Sequence, residues 1–169
     1  MNEVIALLRS LGIPFTHYNH PAVYTCDEAT LLCPPMPGAH TKQLLIHDKK
    51  ARNVFLLIVM HDKRVDMNAL AKELHVGSLS FASSELLFEL LHVTPGSVTP
   101  LGLTHDTAHR ISVFIDEDAW AIGTFLFHPL VNTATLSIER EGFERFLSHT
   151  GHSYAVLSIP RRTMSAATV

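Results

Sequence analysis

Apolar positions in the first eleven residues fall at helical spacing, with Val4, Ile5, Leu7, Leu8 and Leu11 making one stripe. Asn2 is placed to cap this helix and Gly12 to end it. Ile13 to Tyr18 alternates weakly, as a short edge strand with Pro14 near its start. Thr25-Cys26-Asp27-Glu28 has capping-box spacing and predicts a short helix to about Leu32, stopped by Pro34, Pro35, Pro37 and Gly38. Lys42 to His47 and Asn53 to Met60 read as two strands around the polar turn Asp48 to Arg52, an antiparallel hairpin. Asp66 caps a helix carrying Met67, Leu70, Ala71 and Leu74 that closes near Gly77. Ser83 or Ser84 opens another, with Leu86, Leu87, Leu90 and Leu91 inside. A Gly-Pro-bounded turn, Gly96 to Pro100, follows it.

Farther on, Arg110 to Ile115 alternates as a half-buried strand ended by Asp116-Glu117-Asp118. Ile122 to Phe127 and Ala134 to Ile138 are two more strands, flanking a break at His128-Pro129. Glu139 to His149 is helical, with Phe143, Phe146 and Leu147 on one face and Gly151 beyond, and Ser153 to Ile159 is a final strand. The reading is one domain over residues 1–160 with a frayed tail from 161 to 169. Strands and helices mix without regular βαβ alternation, so the class is α/β of the mixed α+β kind.

Composition agrees with an ordered chain: 47% of the 169 residues are hydrophobic and 17% charged. The longest apolar run, Val54 to Met60, has strand length and is far short of the roughly 20 residues of a membrane span. Glu3 sits inside the first amphipathic pattern, which does not read as a signal peptide, and a cytoplasmic location is expected. Cys26 and Cys33 match neither a redox nor a zinc spacing and are expected as two free thiols. The twelve histidines form no HExxH or HxH pattern, so spacing defines no metal site. Net charge is −3, against broad nucleic-acid binding, but Lys42 to Glu73 holds seven Lys and Arg against four Asp and Glu. A basic middle on an acidic chain suits a local contact with a polyanion, or an ordinary solvated hairpin tip.

No GxSxG, Walker A or GxGxxG motif occurs. Four segments in order carry more information: Gly38-Ala39-His40-Thr41-Lys42, Ser80-Phe81-Ala82-Ser83, Gly96-Ser97-Val98-Thr99-Pro100, and His128-Pro129-Leu130-Val131-Asn132-Thr133-Ala134-Thr135. Together with His20-Pro21-Ala22-Val23-Tyr24-Thr25 and Thr150-Gly151-His152, they resemble the prolyl-tRNA editing superfamily. That superfamily includes the YbaK proteins and the insertion domain of bacterial prolyl-tRNA synthetases. The resemblance is closest to the free-standing ProXp-ala (PrdX) branch and spans roughly residues 17 to 157.

The resemblance implies one domain with a central mixed, largely antiparallel, curved β-sheet surrounded by helices. It implies a trans-acting hydrolase that cleaves the ester of alanine mischarged on tRNA(Pro), with no cofactor and no metal. The implied partners are the acceptor end of tRNA(Pro) and prolyl-tRNA synthetase. Lys42 would grip the 3′-terminal nucleotide, Gly96 would bring backbone close to the substrate, and His128 would stand in the same pocket as an acid or base. Ser83, Ser97, Val98, Thr99, Pro100 and Asn132 would contact substrate, and Lys49, Lys50 and Arg52 the acceptor stem. On their own residue chemistry, Lys42 equally reads as a surface lysine, Ser83 as a helix cap, and Ser97 and Thr99 as turn formers. Gln43 stands where the family usually has Asn, a departure bearing on pocket shape and amino-acid choice. Other readings are editing of Cys-tRNA(Pro) or another small residue, a catalytically silent binding module of the same fold, and a metal-dependent hydrolase, for which ligand spacing is missing.

Overall fold

The computed structural model describes residues 1–23, 28, 31–49 and 51–162. Its elements in chain order are α1 (Asn2–Ser10), β1 (Phe15–Asn19), β2 (Thr41–Asp48), β3 (Val54–Met60), α2 (Met67–Glu73), β4 (Leu79–Phe81) and α3 (Ser84–Leu91). A 3₁₀ helix (Pro100–His105) follows, then β5 (Ile111–Asp116), α4 (Glu117–Ile122), β6 (Thr124–Phe127), β7 (Ala134–Glu139), α5 (Arg140–Thr150) and β8 (Tyr154–Leu157).

The strands form two sheets where the resemblance implied one. The larger runs β4-β2-β3-β5-β8, antiparallel through β4, β2 and β3 and parallel from β3 to β8. The smaller is an antiparallel β1-β7-β6. Its strands follow from the sequence: Phe125 and Phe127 alternate inward from β6, against Leu136 and Ile138 of β7. A parallel bridge from Ala39 to Phe125, with the Ala39 amide donating to the Thr124 carbonyl at 2.7 Å, joins the sheets at their seam. Gly38 permits this approach. It sits at φ +135°, and a Cβ there would lie 3.1 Å from the Thr124 carbonyl oxygen.

β3 is buried along nearly its whole length, and its alternating residues feed two cores. Leu56 and Ile58 pack with Phe125, Phe127, Phe143 and Phe146 in the larger core, while Phe55, Leu57 and Val59 pack with Ile46, Leu70 and Ile159 in the smaller.

Several local expectations hold. Asp66 caps α2 by accepting from the amides of Asn68 and Ala69, and Ser83 caps α3 by accepting from Leu86. Others shift. Met1, not Asn2, is the cap position of α1. The segment expected as a strand from Ile122 begins as α4, which Asp116 precedes and left-handed Gly123 ends. Most of the short helix expected from Thr25 lies outside the described residues.

The C-terminal segment is docked as far as residue 162. Asp66 donates to the Pro160 carbonyl, Val65 bridges Arg161, and Arg162 donates to the Arg64 carbonyl. Beneath it Lys63, buried, lies 2.8 Å from both oxygens of fully buried Asp116 and 3.1 Å from Asp118.

Candidate active site

The pairing of β2 decides what faces the site. At its two ends Asp48 donates to the Asn53 carbonyl and His61 to the His40 carbonyl, so the even-numbered residues between them turn their peptide groups toward β3. The odd-numbered ones turn to the opposite edge. There β4 covers only Ile46 to Asp48, extended by Ala82 donating to the Leu45 carbonyl at 2.9 Å. Among the described residues the peptide groups of Thr41 and Gln43 are therefore left without a strand partner. A cavity of about 400 Å³ opens along this bare edge, lined by Val23, Thr41 to Leu45, Phe81, Ala82, Leu87, Pro95, Gly96, Val98 and His128.

A second cavity of about 680 Å³ lies beside it. Cys33 to Pro37, His40, His61, Leu126 and Thr135 wall it, and it shares Thr41, Gln43 and His128 with the first. Those three residues form the septum between the cavities. The larger sheet contributes Thr41 and Gln43, and His128 follows β6 of the smaller, so the site lies on the seam. Cys33 is a free thiol on the second wall, and Cys26 lies outside the described residues.

Lys42 leaves the face of β2 opposite Gln43, on the side of Ile46 and Val59. It still lines the smaller cavity, because that cavity wraps the open strand edge. Its ammonium donates to the His61 carbonyl at 3.0 Å, leaving two of its three N–H donors to offer at the rim.

Gly96 belongs to a tight turn. The Ser97 amide donates to the Thr94 carbonyl at 3.0 Å, with Pro95 at the second position and Gly96 at the third at φ +88°, the residue pattern of a type II turn. The amides of Gly96 and Val98 have no acceptor among the described residues, and both residues line the cavity.

His128 is the most constrained side chain of the three. Its Nδ1 lies 2.8 Å from the Ala134 carbonyl, which can only accept, so Nδ1 carries the proton and Nε2 of the neutral ring is an acceptor with no partner among the described residues. Thr135 Oγ1 stands 3.5 Å from the same Nδ1 and 2.9 Å from Nε2 of His20. His20 Nδ1 in turn donates to the Pro21 carbonyl, so its Nε2 accepts the threonine proton. The arrangement is a polar chain from His20 through Thr135 to His128, with His20 and Thr135 buried. Burial pushes the His128 imidazole below its usual range. The Ala134 bond opposes this, and His20, 5.8 Å away ring to ring, adds to it.

The structure thus gathers Lys42, Gly96, Val98 and His128 in one cavity. It places the other sequence-predicted residues elsewhere. Ser97 is buried in the turn. Thr99 is fully buried and accepts from Leu101 to start the 3₁₀ helix, whose first residue is buried Pro100. Ser83 is spent on its cap. Asn132 supports the wall: its side chain donates to the Val23 carbonyl while its own carbonyl accepts from the Val23 amide. Lys49 and Arg52 stand at the β2–β3 turn, seven residues of strand or about 23 Å from Lys42. Lys50 lies outside the described residues.

Sequence reasoning did not single out His20, Thr135 or the bare edge at Thr41 and Gln43. The repeated His-Pro at 20–21 and 128–129 was the available sign of the first. Six other histidines meet in pairs, His40 with His61, His92 with His105 and His109 with His152. Among the described residues no three His, Cys, Asp or Glu converge as metal ligands.

The model of the aminoacyl-tRNA editing domain matches residues 20–146. This chain belongs to that family. The matched span holds Lys42, the Gly96 turn and His128. Among relatives, prolyl-tRNA synthetase associated domain-containing protein 1 of Mus musculus is 36% identical over 161 residues, covering 92% of this chain and 94% of its own. The prolyl-tRNA editing protein ProX of Acetoanaerobium sticklandii is 28% identical over 156 residues, covering 92% and 95%. The fold is shared with the crystal structure of a proposed trans-editing enzyme for prolyl tRNA synthetase. It has a TM-score of 0.66 and 22% identity over 92% of this chain and 94% of that one. The chain is thus an aminoacyl-tRNA editing domain related to prolyl-tRNA editing proteins, a family of hydrolases. No helix among the described residues is long and apolar enough to cross a membrane.

Proposed function

We propose that this protein is a cytoplasmic, trans-acting deacylase that hydrolyses alanine from mischarged tRNA(Pro). The observation that carries the reading is that Lys42, Gly96, Val98 and His128 line one cavity of about 400 Å³, the amides of Gly96 and Val98 having no acceptor among the described residues. The reaction needs a positioned water, donors for the developing oxyanion, and a grip on the terminal nucleotide. Water adds to the acyl carbon, the bond from that carbon to the ribose oxygen breaks, and the water's proton ends on the ribose oxygen. Gly96 and Val98 amides face the acyl oxygen. His128 Nε2 accepts from the attacking water or from the neighbouring ribose hydroxyl, and Lys42 meets the terminal phosphate.

A synthetase pocket shaped for proline rejects a smaller residue by only about 1–3 kcal/mol, so a second, size-limited pocket adds what binding cannot. The acceptor end of tRNA(Pro) is then the substrate partner, and the synthetase that mischarges it the source.

The test is deacylation of a panel: alanyl-, cysteinyl- and prolyl-tRNA(Pro), and alanyl-tRNA(Ala). Release of alanine from tRNA(Pro), with prolyl-tRNA(Pro) left intact, is expected. No release of alanine refutes the reading, and faster release of cysteine moves the substrate to that residue.

A further inference from the structure

The backbone brings two arginines side by side with no carboxylate paired to either among the described residues. Val65 and Arg161 form an antiparallel bridge, so Arg64 and Arg162 are the next opposed pair, tied by the Arg162 amide donating to the Arg64 carbonyl at 2.7 Å. Opposed side chains in such pairing start about 5 Å apart, and like charges there repel. The carboxylates nearby are already engaged. Asp62 pairs with Arg161 at 3.0 Å, and Asp116 and Asp118 hold Lys63. Arg64 and Arg162 are both exposed and without an ion-pair partner among the described residues. Two guanidiniums carried at opposed backbone positions can reach one or two phosphate groups, which each can engage bidentately.

Their place in the chain ties them to the site. Arg64 is three residues beyond His61, whose ring lines the larger cavity and whose carbonyl holds the Lys42 ammonium. Three residues span at most about 11 Å, so the pair stands close to the end of β3 where His61 meets Lys42. Resting on the editing reading above, we propose that Arg64 and Arg162 form a phosphate clamp on the tRNA acceptor end. They take backbone phosphates before the ester, while the terminal nucleotide enters at Lys42. The clamp replaces the β2–β3 turn as the stem-contacting surface, since Lys49 and Arg52 lie at the opposite end of β2.

The experiment measures binding of an uncharged, CCA-ended acceptor-stem hairpin RNA by fluorescence anisotropy between 50 and 200 mM salt. Wild type is compared with R64E/R162E, R64Q/R162Q and K49E/R52E. The 64–162 pairing runs through backbone atoms, so thermal melting of the variants should match wild type. The expected result is a Kd about 10- to 100-fold weaker for R64E/R162E, a smaller loss for R64Q/R162Q, and a salt slope shallower by about 1.4–1.8. K49E/R52E should bind as wild type does. Unchanged Kd and slope in R64E/R162E overturn the proposal, as does a loss found only in K49E/R52E or a wild type that does not bind the RNA. RNA binding needs no hydrolysis. Failure of the editing reading would instead appear as intact clamp-dependent binding with no deacylation of any mischarged tRNA.

Discussion

Replacing Thr135 by valine tests whether the chain from His20 to His128 is part of the working site. Valine keeps the shape and removes only the hydroxyl, which donates to His20 Nε2 at 2.9 Å and stands 3.5 Å from His128 Nδ1. His20 is 8% exposed, so its nitrogen has little access to water in compensation. A buried acceptor left unsatisfied costs about 1–3 kcal/mol. At about 2 kcal/mol, a chain of this size should melt about 4–8 °C lower. Thr135→Ser restores the hydroxyl and forgoes one methyl, about 0.8 kcal/mol, so serine should recover most of the loss.

A second readout separates positioning from stability. Long-range ¹H–¹⁵N correlation of the imidazole rings should show His128 in the wild type as the Nδ1–H tautomer at neutral pH. In Thr135→Val the Ala134 carbonyl still holds that proton, but the ring loses its second neighbour. The kcat for deacylation should fall about tenfold, equivalent to ~1.4 kcal/mol, and Thr135→Ser should restore it. If valine and serine behave alike in melting and in kcat, or if His128 is found as the Nε2–H tautomer, the chain is not the device described.

Lys42→Ala should lose most deacylase activity with no more than about 0.5 kcal/mol of stability, because its ammonium makes one bond at an exposed position; unchanged turnover would remove it from the site. Lys63→Met should destabilise by about 3–5 kcal/mol, since it strands fully buried Asp116, whereas Asp118→Asn, at a side chain 62% exposed, should change stability by less than about 1 kcal/mol in urea titrations. For His128, an imidazole held below its usual range favours the neutral form in the folded state. Its contribution to stability is therefore complete above the unfolded value near 6.5 and is lost as pH falls through the folded value. Comparing wild type with His128→Gln from pH 8 to 5 should show the gap closing or reversing on the acid side.

The elements that periodicity could announce were legible. β3, α3 and α5 carry long apolar patterns, and the caps at Asp66 and Ser83 rest on local chemistry. What escaped depends on contacts distant in sequence. The division into two sheets turns on Gly38 and Ala39 meeting Thr124, 85 residues later, which no local pattern encodes. α4 escaped notice, and its last residue, Ile122, was read into the following strand because it continues the apolar run into β6 with only Gly123 between. In the site, Lys42, Gly96 and His128 were found by resemblance, and the turn at Thr94 to Ser97 gives Gly96 a backbone reason of its own. Ser97, Thr99 and Pro100 shared that motif, yet they serve the turn and the 3₁₀ helix, since adjacent residues in a turn cannot all face one side.

The seam at Ala39 and Phe125 bears on how such a pocket changes over time. A cavity cut into one sheet has a width set by the side chains around it, and altering the width means altering those residues. Here the walls belong to two sheets that share a short stretch of backbone, so the gap between them is also an angle. Repacking core phenylalanines that line neither cavity, Phe127 or Phe143, would tilt one sheet on the other and resize the opening. Lineages of this fold therefore have a way to drift toward larger or smaller amino acids while every residue that touches the ester stays the same.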